Sequence, residues 1–151
     1  MIDDIDLLLL KLLQKDGRLT YRELSEKVNL SVTPIHERVK RLEKEGYISK
    51  YVALLSREKL GKGLTIYCQV TLIKQTKDVS STFNEAIKEL PEVLECNFIS
   101  GSFDYLLKII TPDMDGYHRF HQEKLSVIEG VSLINSFFVI SEVKSTTELP
   151  I

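Results

Sequence analysis

The spacing of apolar residues changes near residue 60, and this change restricts the chain to two differently built parts. Before it, in segments such as DDIDLLLLKLLQKDG, apolar residues recur every three or four positions, the period of a helix with one buried face. From Lys62 onward the period falls to about two in segments such as LTIYCQVTL, as in a β-strand. We therefore predict an α+β protein with a helical domain over residues 1–60 and a sheet domain over 61–151, joined at the glycine-containing hinge SREKLGKG.

Three short helices are predicted in the first domain. The first ends at Gly17, and the second begins at Thr20, where Glu23 three residues later completes a capping-box pattern. The third is capped by Ser31 or, almost as well, by Thr33 with Pro34 as the first helical residue, and it ends at Gly46. The segment YISKYVALLS alternates loosely and predicts a short two-stranded extension. Three short helices, with a tight polar turn between the second and the third, are typical of a helix-turn-helix unit.

The third helix has one apolar and one polar face. Ile35, Val39 and Leu42 repeat at i, i+4 and i+7 and predict the buried side. The opposite side would carry Thr33, His36, Glu37, Lys40 and, beside them, Arg41 and Lys44. A helix fits the major groove of B-DNA, and residues near its N-terminus reach the base edges.

Charge favours the same partner without deciding for it. Residues 1–60 hold 12 Lys and Arg against 10 Asp and Glu, whereas residues 61–151 hold 8 against 12. A polyanion would therefore be met by the first domain. The excess is small, and three-helix units with basic faces also serve as protein adaptors, so both interpretations stay open at this point.

The second domain has the order β-α-β-β-α-β. Its helices cover DVSSTFNEAIKELP and PDMDGYHRFHQEKLSVI, and the last strand covers VSLINSFFVISEVK. This order predicts a ferredoxin-like four-stranded antiparallel sheet with both helices on one face. The other face is rich in apolar residues, for example around Phe137 and Phe138, and would pair with a second copy. We therefore expect a homodimer formed through this domain.

Several linked motifs resemble one family. The motifs DDIDLLLLKLLQKDGR, LSVTPIHERVKRLEKEGYI and GSFDYLLK, in this order and over nearly the whole chain, resemble the Lrp/AsnC (feast/famine) transcriptional regulators, most closely the leucine-responsive type. The resemblance implies a winged helix-turn-helix domain joined to a ligand-sensing, RAM-type ferredoxin-like domain. It also implies dimers that assemble to octamers, double-stranded DNA as partner, and an amino acid or related metabolite as effector.

The resemblance also implies site residues. On the DNA side these are Ser31, Thr33, Pro34, His36, Arg38, Lys40 and Arg41. Arg38 could instead be held in an internal salt bridge with Glu43 or with an acid of the first helix. On the effector side they are Gly101, Ser102, Phe103, Asp104, Met114, Ile134, Ser136 and Phe137.

Two features complicate the effector assignment. Gly101 would let backbone approach a ligand and Asp104 would pair with an α-amino group, but both could simply build a strand-connecting turn. In addition, many members have Thr-x-Thr where this chain has Ile134-Asn135-Ser136, which removes one hydroxyl from the expected site. The alternative function is a ligand-binding and assembly module of the same fold without a DNA role.

Other functions are disfavoured. His118 and His121 lie at i, i+3 but lack an evident third ligand, and no motif of an enzyme is present, so we expect neither a metal, a cofactor nor catalysis. The acidic start MIDDIDLLLL and the absence of a long apolar run indicate a cytoplasmic protein without a membrane partner. Cys68 and Cys96 are expected to be buried free thiols.

Overall fold

A computed structural model of the protein describes residues 2–151 as two compact units. The first comprises residues 2–54 together with the C-terminal residues 144–151, and the second comprises residues 55–143. The division predicted at residue 60 differs in two respects, because it kept 55–60 in the first domain and 144–151 in the second. In the structure the tail is tied to the first helix, since the side-chain amide of Gln14 and the backbone of Leu149 exchange hydrogen bonds of 2.9 and 3.0 Å.

Three helices form the first unit: α1 (Asp4–Lys15), α2 (Tyr21–Val28) and α3 (Val32–Lys44). The capping box predicted at Thr20 is confirmed, because the Thr20 N–H donates to Glu23 Oε2 at 2.7 Å and the Glu23 N–H donates to Thr20 Oγ1 at 3.2 Å. A left-handed residue, Asn29 with φ of 56°, ends α2 and begins the turn to α3. The predicted inward stripe of α3 is confirmed, because its three residues belong to the hydrophobic core of this unit, which consists of Leu9, Leu13, Leu24, Ile35, Val39 and Leu42.

The segment that follows α3 contains neither helix nor strand. Residues 45–48 form a turn and a bend, and residues 49–56 belong to no helix or strand. The two-stranded extension predicted over YISKYVALLS is therefore wrong within the part of the chain that the structure describes. A hairpin needs a turn residue between its strands, and residues 49–56 contain no Gly, Pro, Asn or Asp. Tyr51 instead turns back to α3 and donates its hydroxyl to Glu43 Oε1 at 3.2 Å.

The second unit has the predicted ferredoxin-like order. Its elements are β1 (Leu64–Leu72), α4 (Lys77–Lys88), β2 (Val93–Phe98), β3 (Tyr105–Thr111), α5 (Met114–Phe120) and β4 (Val131–Phe138). A π-helical turn over His121–Leu125 extends α5. The strands lie in the order β2-β3-β1-β4, and every neighbouring pair is antiparallel. The last strand stops at Phe138, earlier than the predicted end at Lys144.

The two faces of this sheet differ. One face packs on the helices, where Ile66, Val70 and Leu107 meet Phe83 of α4 and Phe120 of α5 in a single core. The other face is open within the single chain. There Leu133 and Phe137 are each 52% exposed, and Tyr67, the register partner of Phe137, is 36% exposed.

The two cysteines are both free but differ in burial. Cys68 on the central strand β1 is buried, as predicted. The prediction that Cys96 is buried is wrong, because it lies on β2, an edge strand that is largely exposed. An alternating or apolar segment predicts a strand but does not reveal which strand will lie at the edge.

Candidate functional site

The outward face of α3 is polar and accessible. Thr33, Glu37, Lys40 and Lys44 follow one another at spacings of four, three and four residues, and all four are exposed. Lys40 makes a loose ion pair with Glu43 at 3.5 Å, and its side chain is 58% exposed. The helix therefore presents two cationic side chains on the side opposite its buried stripe.

The N-terminus of α3 is also open. Ser31 occupies the N-cap position predicted for it, but its side chain makes no capping hydrogen bond. The first turn contains no acidic residue, so the unpaired N–H groups and the helix dipole there favour an anion. Pro34 lies in this first turn, where a missing backbone N–H costs little.

His36 is oriented by an aromatic neighbour that the sequence analysis did not identify. Its ring meets that of Tyr21 edge to face, with centroids 4.8 Å apart and an interplanar angle of 81°. Tyr21 is the first residue of α2, so the contact crosses the turn between the two helices. The two residues lie on different helices, so no repeating pattern in the sequence predicts that they are in contact.

Arg38 and Arg41 lie on the flank of α3 that faces the start of α1. Arg38 Nη1 donates to Asp3 Oδ2 at 2.7 Å and to Asp6 Oδ1 at 2.8 Å. Arg41 Nη2 donates to Asp6 Oδ2 at 2.5 Å. The alternative left open for Arg38, a salt bridge with an acid of the first helix, is the geometry that the structure has. Glu43, the other acid considered, lies near Lys40 and Tyr51 instead.

The Asp6 carboxylate is the centre of this network. Its side chain is fully buried, and burial alone would raise its pKa. The backbone N–H of Asp3 and the guanidinium groups of Arg41 and Arg38 outweigh burial and lower the pKa of Asp6 to about 2. Asp6 is thus ionised at neutral pH and fixes α3 to α1 through two charge-assisted contacts.

The loop between β2 and β3 contains four of the predicted effector residues. Gly101 has φ of +154°, and Ser102 is exposed, whereas Asp104 is only 2% exposed. The Asp104 carboxylate accepts hydrogen bonds from the Leu72 N–H at 2.7 Å and from the Gln75 amide at 2.5 Å. These contacts match the strand-connecting turn that was the alternative for this segment, and they engage both carboxylate oxygens within the chain.

The other predicted effector residues lie elsewhere in the same unit. Met114 follows the far end of β3, a strand of seven residues and therefore about 20 Å long, so it lies at the opposite end of the sheet from Asp104. On β4, Ile134 and Ser136 face the helices opposite Val70 and Cys68, whereas Phe137 faces the open side. A single chain therefore does not bring the eight residues together.

Ser136 belongs to a small polar cluster in the core. Its hydroxyl is hydrogen-bonded to the Tyr117 hydroxyl, which in turn lies 3.3 Å from Cys68 Sγ. Burial raises the pKa of the Cys68 thiol, so it stays protonated. A separate groove of about 570 Å³ lies between α4 and β2 and is lined partly by Asn84, Cys96 and Phe98; none of the eight predicted residues lines it.

Two general features of the described chain bear on other functions. Within residues 2–151, no three His, Cys, Asp or Glu side chains come close enough to hold a metal ion. Over the same range, no helix has the length and apolar character that crossing a bilayer requires.

Comparison with known proteins identifies the family. Residues 65–149, more than half of the chain, match the model of the Lrp/AsnC ligand binding domain, and residues 2–49 match a winged helix-turn-helix DNA-binding model. The chain belongs to the Lrp/AsnC family. The predicted resemblance, the two-part fold class and the role as a DNA-binding transcriptional regulator are thereby confirmed.

Individual relatives agree with this assignment. The leucine-responsive regulatory proteins of Escherichia coli K12 and Klebsiella pneumoniae are each 43% identical over 150 residues, covering 99% of this chain and 92% of theirs. A transcriptional regulator of Neisseria meningitidis, solved with L-methionine, is 39% identical with a TM-score of 0.95, covering 99% of this chain and 97% of that one. These relatives are named as regulators, and this Lrp/AsnC protein is not an enzyme.

Proposed function

We propose that α3 of this Lrp/AsnC regulator enters the major groove of double-stranded DNA in the cytoplasm. Its predicted contacts are Ser31, Thr33, Pro34, His36, Arg38, Lys40 and Arg41. The observation that supports this proposal is the division of α3 into a buried apolar stripe and an exposed polar face. The open N-terminus would bind a phosphate, His36 would reach base edges, and Lys40 would neutralise a phosphate further along the helix.

The DNA surface is tested by removing a charge from the exposed face. Lys40→Ala should weaken binding to DNA and reduce the salt dependence of log K by about one phosphate contact. Lys77→Ala, which removes an exposed lysine of α4 in the second unit, is the matched control and should leave both quantities unchanged. Equal affinities of the two variants at every salt concentration would contradict the assignment of the exposed face of α3 as the DNA surface.

We further propose that the open face of the sheet is covered by a second copy and that dimers assemble further, to octamers. The exposed apolar side chains of Leu133 and Phe137, aligned with Tyr67 across β1 and β4, support this pairing. A twofold dimer would also place two α3 helices for two half-sites. Leu133→Asp should dissociate the dimer in sedimentation equilibrium, whereas Val127→Asp, at an exposed position after α5, should not.

An amino acid is the effector that we propose. The match to a ligand binding domain and the L-methionine complex of the Neisseria meningitidis relative support this class. Because the length of β3 separates Met114 from Asp104 within one chain, we propose a site between neighbouring copies, with Gly101, Ser102, Phe103 and Asp104 from one copy and Met114 from the other. Ile134, Ser136 and Phe137 on β4 would complete the site. Ligand there would shift the packing of neighbours and thereby DNA affinity.

The effector proposal is tested with a panel of single amino acids. At least one should raise the melting temperature and change either oligomer size by light scattering or DNA affinity. Met114→Ala should reduce the effect of that amino acid, whereas Val127→Ala should not. If no amino acid changes any of the three quantities, the regulator responds to another signal.

A further inference from the structure

One nitrogen of Arg38 holds two carboxylates that differ sharply in exposure. Asp6 is fully buried, whereas the Asp3 side chain is 52% exposed and that of Arg38 is 26% exposed. The bond to Asp6 at 2.8 Å therefore lies inside the unit, and the bond to Asp3 at 2.7 Å lies at its surface. Only the second bond can be exchanged for another anion without exposing a buried charge.

The two oxygens of Asp3 have separate partners. Oδ1 accepts from the Asp6 N–H at 2.9 Å and caps α1, while Oδ2 accepts from Arg38. Asparagine is as good an N-cap as aspartate, because its side-chain oxygen can make the same bond. An Asp3→Asn substitution therefore keeps the cap of α1 while it removes the charge that Arg38 meets.

We propose that Asp3 is a positioning residue that occupies Arg38 in the place of a DNA phosphate. When DNA binds, a phosphate takes over the outer position on the guanidinium, while the inner bond to Asp6 persists and keeps the side chain aimed. The inference rests on the proposed role of α3 in DNA binding. It extends that role, because Arg38 would make both the internal salt bridge and the DNA contact that the sequence analysis treated as alternatives.

The chemistry of the groups supports such an exchange. The guanidinium fork is complementary to carboxylate and phosphate alike, so the same donors serve both. An exposed ion pair contributes little free energy, because water and salt compete with it. Replacing Asp3 by a phosphate on Arg38 therefore costs little free energy. Because this cost does not depend on the DNA sequence, Asp3 lowers the affinity for every duplex equally and so limits non-specific binding.

The test compares two single-charge variants of α1 and its cap. Asp3→Asn and Asp4→Asn each remove one acidic charge from neighbouring positions, but Asp4, an exposed residue of the first turn, lies outside the Arg38 network. Affinity for a short random-sequence duplex is measured by fluorescence anisotropy over a series of salt concentrations. Asp3→Asn should bind about two- to fivefold more tightly than Asp4→Asn, the equivalent of one exposed ion pair, with a steeper salt dependence.

A second pair of variants tests whether Asp3 acts through Arg38. In an Arg38→Gln background, Asp3→Asn should bind no more tightly than Asp4→Asn. The inference is overturned if the two asparagine variants bind equally in the native background, or if the advantage of Asp3→Asn persists without Arg38. Lys40→Ala separates this outcome from the broader proposal, because it reports on the DNA surface whether or not Asp3 takes part.

Discussion

The carboxylate of Asp104 lies 2.7 Å from the backbone nitrogen of Leu72 and accepts its hydrogen bond in a nearly fully buried position. The contact joins the start of β3 to the end of β1. The second oxygen binds the Gln75 amide, which holds the chain that leaves β1. Asp104 therefore has a structural role within one chain, whatever it contributes to a ligand.

From this role we predict that removing the Asp104 carboxylate lowers the stability of the protein. Asp104→Ala should lower the free energy of unfolding by roughly 2–4 kcal/mol, because the buried Leu72 N–H loses a charged acceptor. Asp104→Asn retains one oxygen and should lose less. Urea denaturation measures the effect, with Asp115→Ala, at an exposed position of α5, as control. A stable Asp104→Ala variant with impaired ligand binding would show that the carboxylate serves the effector instead.

The network around Asp6 predicts a defined pH dependence. The pKa of Asp6 is about 2 in the folded protein and about 3.8 when unpaired, so its ionised form stabilises the fold above pH 4. This contribution, on the order of 2 kcal/mol, disappears as the pH falls through the folded pKa. The stability difference between the native chain and Asp6→Asn should therefore be largest near neutral pH and shrink toward pH 2. A difference that is constant with pH would contradict the assignment.

Gly130 predicts a steric effect at the turn before β4. Its φ is +92°, and an added Cβ would lie 2.5 Å from Val79 Cγ1. Gly130→Ala should cost about 2–4 kcal/mol in the free energy of unfolding, from backbone strain and overpacking together. Gly63→Ala, where nothing lies within 4 Å and φ is not positive, should be neutral or slightly stabilising. In the Gly130→Ala background, Val79→Ala should recover the steric part only.

The two cysteines predict different reactivity. Burial raises the pKa of both thiols, so accessibility is what separates them: Cys96 is exposed and Cys68 is buried. A thiol reagent should therefore titrate one group in the native protein and two after denaturation. Cys96→Ser should abolish the native reaction and Cys68→Ser should not. Equal rates for both thiols would show that the core around Tyr117 opens readily.

Local sequence patterns predicted most of the helices and strands. The contacts that they did not predict join residues far apart in the sequence. The period of Ile35, Val39 and Leu42 and the Thr20–Glu23 box depend on residues within one helix, which a sequence displays directly. The link between Asp6 and Arg41 joins residues 35 apart, and that between Gln14 and Leu149 joins residues 135 apart. No periodicity encodes such partners, since they depend on how finished elements pack.

The same reason explains why the predicted effector residues are not all brought together in one chain and why the predicted two-stranded extension is not formed. Motif resemblance placed Met114 and Asp104 in one site, but the strand between them separates them within the chain. Likewise, loose alternation over 47–56 indicates extended backbone without saying what it pairs with. The pattern of such a segment does not specify which element it will contact.

The hydrogen-bonded pair of Gln14 and Leu149 has a practical consequence for experiments that follow motion. Because residues 144–151 belong to the same unit as residues 2–54, dyes attached at the two ends of the chain would both move with this helix-turn-helix unit. The distance between two such dyes would not report a movement of the second unit. A reporter of that movement needs its second dye between residues 55 and 143, because a dye near Leu149 stays with α1.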